Sequence, residues 1–268
     1  MNKKRVMLLA VLAVAVLTGC RTVPVSGRTQ LMLSSESYEN SLGEETYGEY
    51  KQKYRPSNNQ AHNQALRRVG EAIRDVAGQD SFKWEFIVLD SPEANAFCLP
   101  GGKVAVYAGI FAYMANDAEL ACVVAHEIAH AIARHGGERM SWAQLQTLGM
   151  YGVLNSTKSE SIAAIYGLTT DMGVMLPFSR SNETEADLIG LILMARAGYN
   201  PQAALTFWRK FGAGKSQSAL DRWLSTHPGG EVRIQDLEAA MPDALREYQA
   251  ARNKKDYGTL YTTNPSAR

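Results

Sequence analysis

The chain has little to offer a nucleic acid. Lysine and arginine number 28 against 27 aspartates and glutamates, a formal net charge of +1, which gives no strong hold on a phosphate backbone. It also lacks an uncharged apolar run of the roughly 20 residues that a membrane helix needs. Val6 to Leu17 is too short, and the weakly apolar stretch 140–178 is interrupted by Lys158, Glu160 and Asp171. No internal repeat is visible, so a solenoid is not indicated. Cysteine is scarce: beyond Cys20 there are only Cys98 and Cys122. Whether these two form a bridge depends on a Cα separation that sequence does not reveal. Histidine is scarce too, yet three of the five fall within Val123–His135.

What is present begins with an ordinary globular balance, 46% hydrophobic and 21% charged residues, enough for a sizeable core in one large domain or two small ones. The N-terminus stands apart. Lys3, Lys4 and Arg5 precede the apolar run, and Leu17-Thr-Gly-Cys20 follows it, the layout of a secretion signal. LTGC resembles the lipobox of bacterial lipoproteins, which implies cleavage before Cys20 and acylation of that residue. Residues 1–19 are then a lipoprotein signal peptide and 20–34 an extended tether containing Pro24 and Gly27. A domain follows over 35–251, and 252–268 form a frayed tail. Arg21, standing where sorted lipoproteins of the inner membrane carry Asp, favours a lipid anchor in the outer membrane, facing the periplasm.

The polar stretch 35–54 with scattered tyrosines reads as a surface helix, and periodicity predicts a second over 61–76 from Leu66, Val69, Ile73 and Val76. Trp84–Asp90 and the run from Lys103 are strand-like, with Pro100-Gly101-Gly102 as a turn between extended segments. A helix capped by Asn116 or Asp117 is expected to run to about His135, where Gly136-Gly137 stops it. Residues 140–178 are expected to cover the cleft as a lid. A further helix spans 182–198, ended by Gly198, and Pro201 opens the next. The fold class is mainly α with a small β-sheet, α+β.

Within VVAHEIAHAIARH, His126 and His130 are four residues apart and so project from one helix face, where they can grip one cation. Glu127 is offset to the side, able to reach a water but not to act as an equal ligand. This is the HExxH arrangement, two zinc ligands and a general base. The metzincin continuation is excluded, because Ala133 and Gly136 stand where it needs Gly and His. His135, which a continuous helix would turn away, reads as a surface histidine. Downstream, SRSNETEADLIG offers Glu183 and Asp187 on one face, with Glu185 pointing nearly opposite. Glu183 as third ligand gives a His₂Glu site with an open fourth position. Asp187 is then placed to hold a ligand imidazole's other N–H.

HEIAHAIARH followed by SRxxExEAD, the earlier NAF…PGG…V.V..G stretch and the late THP resemble the zinc metallopeptidases of the HtpX and CAAX-prenyl-protease family, over roughly Phe86 to Arg233. The resemblance implies a gluzincin-like domain with one zinc ion held by His126, His130 and Glu183, and Glu127 as base. It implies that His227 stabilises an oxyanion, with Arg233 paired to a site carboxylate. Asn95, Ala96 and Phe97 would lie on an edge strand that pairs with an extended peptide. Periplasmic lipoproteins and the mitochondrial stress-protease branch look nearer than the membrane-spanning members. The expected partners are unfolded or extended protein substrates, the membrane through the anchor, and envelope assembly proteins, with no nucleic acid. A chaperone or scaffold assisting outer-membrane assembly is the second reading.

Overall fold

The computed structural model describes residues 20–145, 179–213, 227 and 231–261. The expected signal peptide and most of the expected lid lie outside these residues. Strands β1 (Cys20–Thr22) and β2 (Thr29–Leu31) pair antiparallel. Helices α1 (Glu36–Lys53) and α2 (Gln60–Ala77) follow, capped by Ser35 and Asn59, whose side chains accept from Tyr38 N and His62 N. Gly78, at φ 64°, closes α2 in the left-handed conformation that glycine adopts at no steric cost.

Three strands make the main sheet: β3 (Glu85–Leu89), β4 (Ala96–Leu99) and β5 (Lys103–Tyr107), in the order β3-β5-β4. β5 runs parallel to β3 and antiparallel to β4, so β4 is an edge. A 3₁₀ turn, Ala108–Tyr113, leads to α3 (Asp117–Ile132), capped by Asn116. Every residue of α3 is buried. It packs against α2, β4, α4 (Arg180–Arg196) and α5 (Gln202–Ala213), while α6 (Glu231–Ala250) packs on α4 and α5. A helix apolar on all sides with a few polar groups belongs in the middle of such a stack. The mainly helical expectation with a small sheet holds.

Three local expectations differ. The 20–34 segment is not a loose tether: it forms the β1–β2 hairpin, and Val23, Gln30, Leu31 and Met32 are buried. Residues 251–261 are mostly exposed but are tied to the core rather than frayed. Thr259 N and Tyr261 Oη donate to the buried Asp117 carboxylate at 2.9 and 2.8 Å, and Arg68 binds the same group through two nitrogens. The zinc-motif helix stops at Ile132, before the two glycines, because Arg134 takes φ 55°. Helical conformation then resumes over 135–145. Cys98 and Cys122 carry free thiols.

α3 and α4 cross closely because Gly190 has no side chain. A Cβ there would lie 2.9 Å from His126 N and 3.0 Å from His126 Cα, both backbone atoms that cannot step aside. Gly190→Ala is therefore expected to force the helices apart at about 1–3 kcal/mol, lowering the thermal midpoint by several degrees and reducing activity by moving Glu183. Unchanged melting and rate would show that the crossing has slack.

Candidate active site

Helix α3 presents His126 and His130 on one face, and α4 presents Glu183 and Asp187 toward it. His126 Nε2 and His130 Nε2 are 3.1 Å apart. Glu183 Oε2 lies 3.5 Å from His126 Nε2, and Oε1 lies 3.3 Å from His130 Nε2. His227 Nδ1 is 3.2 Å from His126 Nε2 and 3.2 Å from both Glu183 oxygens. These four side chains are buried, and one donor atom of each lies within 4.8 Å of all the others. Tetrahedral ligands at zinc distances of about 2.0–2.1 Å stand roughly 3.3 Å from one another, so the donor set fits one zinc ion. Two details depart from expectation. His227 supplies a donor of the set rather than lying beside it. His135 is buried rather than on the surface, because the break at Arg134 turns it back under His130, with Nδ1 atoms 2.8 Å apart.

Glu127 stands beside this set and not in it. Its Oε1 is buried without a hydrogen bond, and His227 Nε2 is 3.4 Å away. Burial raises the Glu127 carboxyl above its ordinary value, against the opposing pull of His227 and His126. Burial would also raise Glu183, but contacts with His126, His130 and His227 outweigh it and hold that carboxylate far below the usual range. In the metal-free protein, burial and Arg233 push His126 down, yet Asp187 and Glu183 prevail and raise it to about 9. Burial dominates at His130 and lowers it well below its ordinary value.

Asp187 Oδ1 is 3.0 Å from His126 Nδ1. Arg233 grips the Asp187 carboxylate through Nε and Nη2, the latter at 2.8 Å, and its Nη2 lies 3.3 Å from Glu183. The guanidinium carbon sits 3.6 Å over the Trp208 ring, a cation–π contact that fixes its plane. On the sheet side, Tyr107 N donates to Asn95 O at 2.9 Å. By antiparallel alternation the backbone groups of Ala96 and Cys98 then face away from β5, while those of Phe97 face β5. Ala96 N–H is held by Asn95 Oδ1 at 2.9 Å. Desolvation, aided by the charge of Glu127, holds the Cys98 thiol well above its ordinary value.

Glu185 and Glu138 were not singled out by sequence reasoning as site residues. Glu185 accepts from His135, and both carboxylates accept from Arg28 of the N-terminal hairpin. Their only local signal is the acidic start of α4 and the histidine after Arg134, and the break that brings them together leaves no mark in residue spacing.

Comparison with known proteins bears on the same residues. The model of peptidase family M48 matches residues 60–241. The mitochondrial metalloendopeptidase OMA1 of Schizosaccharomyces pombe is 35% identical over 227 residues, covering 83% of this chain and 66% of that protein. The human metalloendopeptidase OMA1 is 30% identical over 243 residues, 83% of this chain and 46% of its own length. The beta-barrel assembly-enhancing protease of Escherichia coli is 32% identical over 183 residues, 65% of this chain and 37% of its own. The chain thus spans between about a third and two thirds of these relatives. The family match begins after the hairpin that carries Arg28 and takes in all four donors, Glu127, Asp187 and Arg233. The chain therefore belongs to peptidase family M48, metallopeptidases whose cofactor is zinc.

Proposed function

We propose that this protein is a zinc metalloendopeptidase of the bacterial envelope that hydrolyses unfolded or extended proteins. His126, His130 and Glu183 hold the ion, with Asp187 fixing His126 through Nδ1 and Arg233 fixing Asp187. Zinc, when bound, polarises a peptide carbonyl and lowers the pKa of a coordinated water from 15.7 toward about 7. Glu127 takes a proton from the attacking water on Oε1, the buried oxygen that the fold leaves without a hydrogen bond. As the new C–O bond forms and the C–N bond breaks, Glu127 returns that proton to the leaving amine. A carboxyl raised by burial suits both halves of this transfer. His227 fills a corner of the donor set here. Its other nitrogen, Nε2, lies 3.4 Å from Glu127, which suits it to stabilise a developing oxyanion.

The observation that carries this reading is the buried Glu127 oxygen, free of any hydrogen bond, beside four converging donors. The outward backbone of β4 supports an extended substrate, joined by strand addition once Asn95 releases Ala96 N–H. Cys20 is exposed at the start of β1, reachable for the acylation proposed from LTGC, and no helix among the described residues is long and apolar enough to cross a membrane. Anchoring at the periplasmic face of the outer membrane would place the site among envelope assembly proteins. The test is cleavage of a chemically denatured protein, and of the same protein folded, by the purified chain before and after zinc removal. Cleavage of the denatured form alone, lost on chelation and restored by zinc, is expected. Cleavage that survives complete zinc removal overturns the assignment.

A further inference from the structure

We propose that His135, Glu185 and Arg28 form a positioning relay that holds the His130 imidazole toward the metal and ties that hold to the N-terminal hairpin. The inference rests on the reading of His130 as a ligand. His130 Nε2 faces the other donors, which leaves Nδ1, 2.8 Å from His135 Nδ1. A ligating imidazole is neutral and carries its proton on the nitrogen it does not use. His130 Nδ1–H therefore donates, and His135 Nδ1 accepts. This assignment places the His135 proton on Nε2, which lies 2.8 Å from Glu185 Oε2. Glu185 is an acceptor, so each bond in the series has one donor and one acceptor.

The series continues outward. Arg28 Nε donates to Glu185 Oε2 at 2.8 Å, and Ser26 Oγ donates to Glu185 Oε1. Arg28 also binds Glu138 bidentately at 2.8 and 2.7 Å, and Asn182 Nδ2 adds a bond to Glu138. His135 is 1% exposed and Glu185 5%, so water does not offer an easy substitute for these partners. The fold accepts a cost to build the arrangement. Arg134 is a non-glycine residue in the left-handed region at φ 55°, a strained conformation, and it is held there by two bonds to Glu39 and one to Ser34 O. Without that turn a continuous helix would carry His135 away from His130. Groups that orient a metal-bound histidine set both its tautomer and its basicity.

The test is the zinc dissociation constant, by chelator competition, of the full chain and of Arg28→Gln, His135→Asn and the double variant. The shorter amide side chain of His135→Asn keeps an acceptor near His130 but does not reach Glu185. Arg28→Gln is expected to weaken zinc binding about tenfold, and to add nothing in the His135→Asn background, where the link is already cut. Multiplying effects in the double variant, or parental affinity in Arg28→Gln, overturns the relay. Melting of the zinc-free forms is recorded alongside. A clamp with only a structural role moves that midpoint and leaves the zinc constant in place, which also overturns it. If His135→Asn does not fold, Glu185→Ala, which removes the acceptor, cuts the same link. A parent chain that binds no zinc overturns the ligand assignment itself, whereas a zinc-binding parent with indifferent variants overturns the relay alone.

Discussion

Glu127→Gln is expected to keep one zinc per chain and lose all but about a thousandth of the parent's turnover. The size follows from general base catalysis, which contributes about 10²–10⁴-fold. The separation of binding from turnover follows from geometry. Glu127 stands outside the four converging donors, so its replacement removes no ligand. Glutamine has the same shape and leaves no cavity, but it cannot accept a proton from water. Oε1 has no hydrogen bond to lose, and the substitution removes a buried carboxyl that burial already drives toward its neutral form. The melting midpoint should hold or rise. Zinc analysis, thermal unfolding and cleavage of a denatured protein read the three consequences. A variant within tenfold of the parent rate would show that another group moves the proton.

Glu183→Gln should produce the opposite pattern, a chain depleted of zinc and inactive for that reason. Structural zinc binding is worth about 10–16 kcal/mol in small sites. Shared among the three ligands, this gives at least about 3 kcal/mol for one, or more than a hundredfold in affinity. A second effect acts in the same direction. Arg233 Nη2 lies 3.3 Å from Glu183 and 3.2 Å from His126 Nε2. Asp187 still pairs with the guanidinium, but without Glu183 the cluster has one negative charge fewer to receive an incoming dication. Equilibrium dialysis against buffered zinc measures the loss. Retained affinity would transfer the third-ligand role elsewhere, with His227 the first residue to examine.

The parts legible beforehand are those governed by a single local period. His126 and His130, and Glu183 and Asp187, are each separated by about one helical turn, so each pair shares a face in any unbroken helix. The strand–turn–strand pattern around Pro100-Gly101-Gly102 likewise depends on neighbours in sequence. His135 was illegible because its position depends on a left-handed residue that is neither glycine nor asparagine. Arg134 is held in that state by Glu39 and Ser34, about a hundred residues earlier, and no local pattern records such a bond. The tether and tail readings missed for a related reason. Short polar segments near chain ends look unstructured until distant partners, such as Asp117 for Tyr261 and Glu185 for Arg28, are in place.

The Asp117 clasp has a consequence for biosynthesis. It joins the first turn of the HExxH helix to residues 259 and 261, and chains emerge from the ribosome N-terminus first. A nascent protein that already displays both zinc-motif histidines still lacks the segment that pins the helix carrying them. The helix carrying the zinc motif is thus pinned only after residues 259 and 261 have joined it, more than a hundred residues later in synthesis.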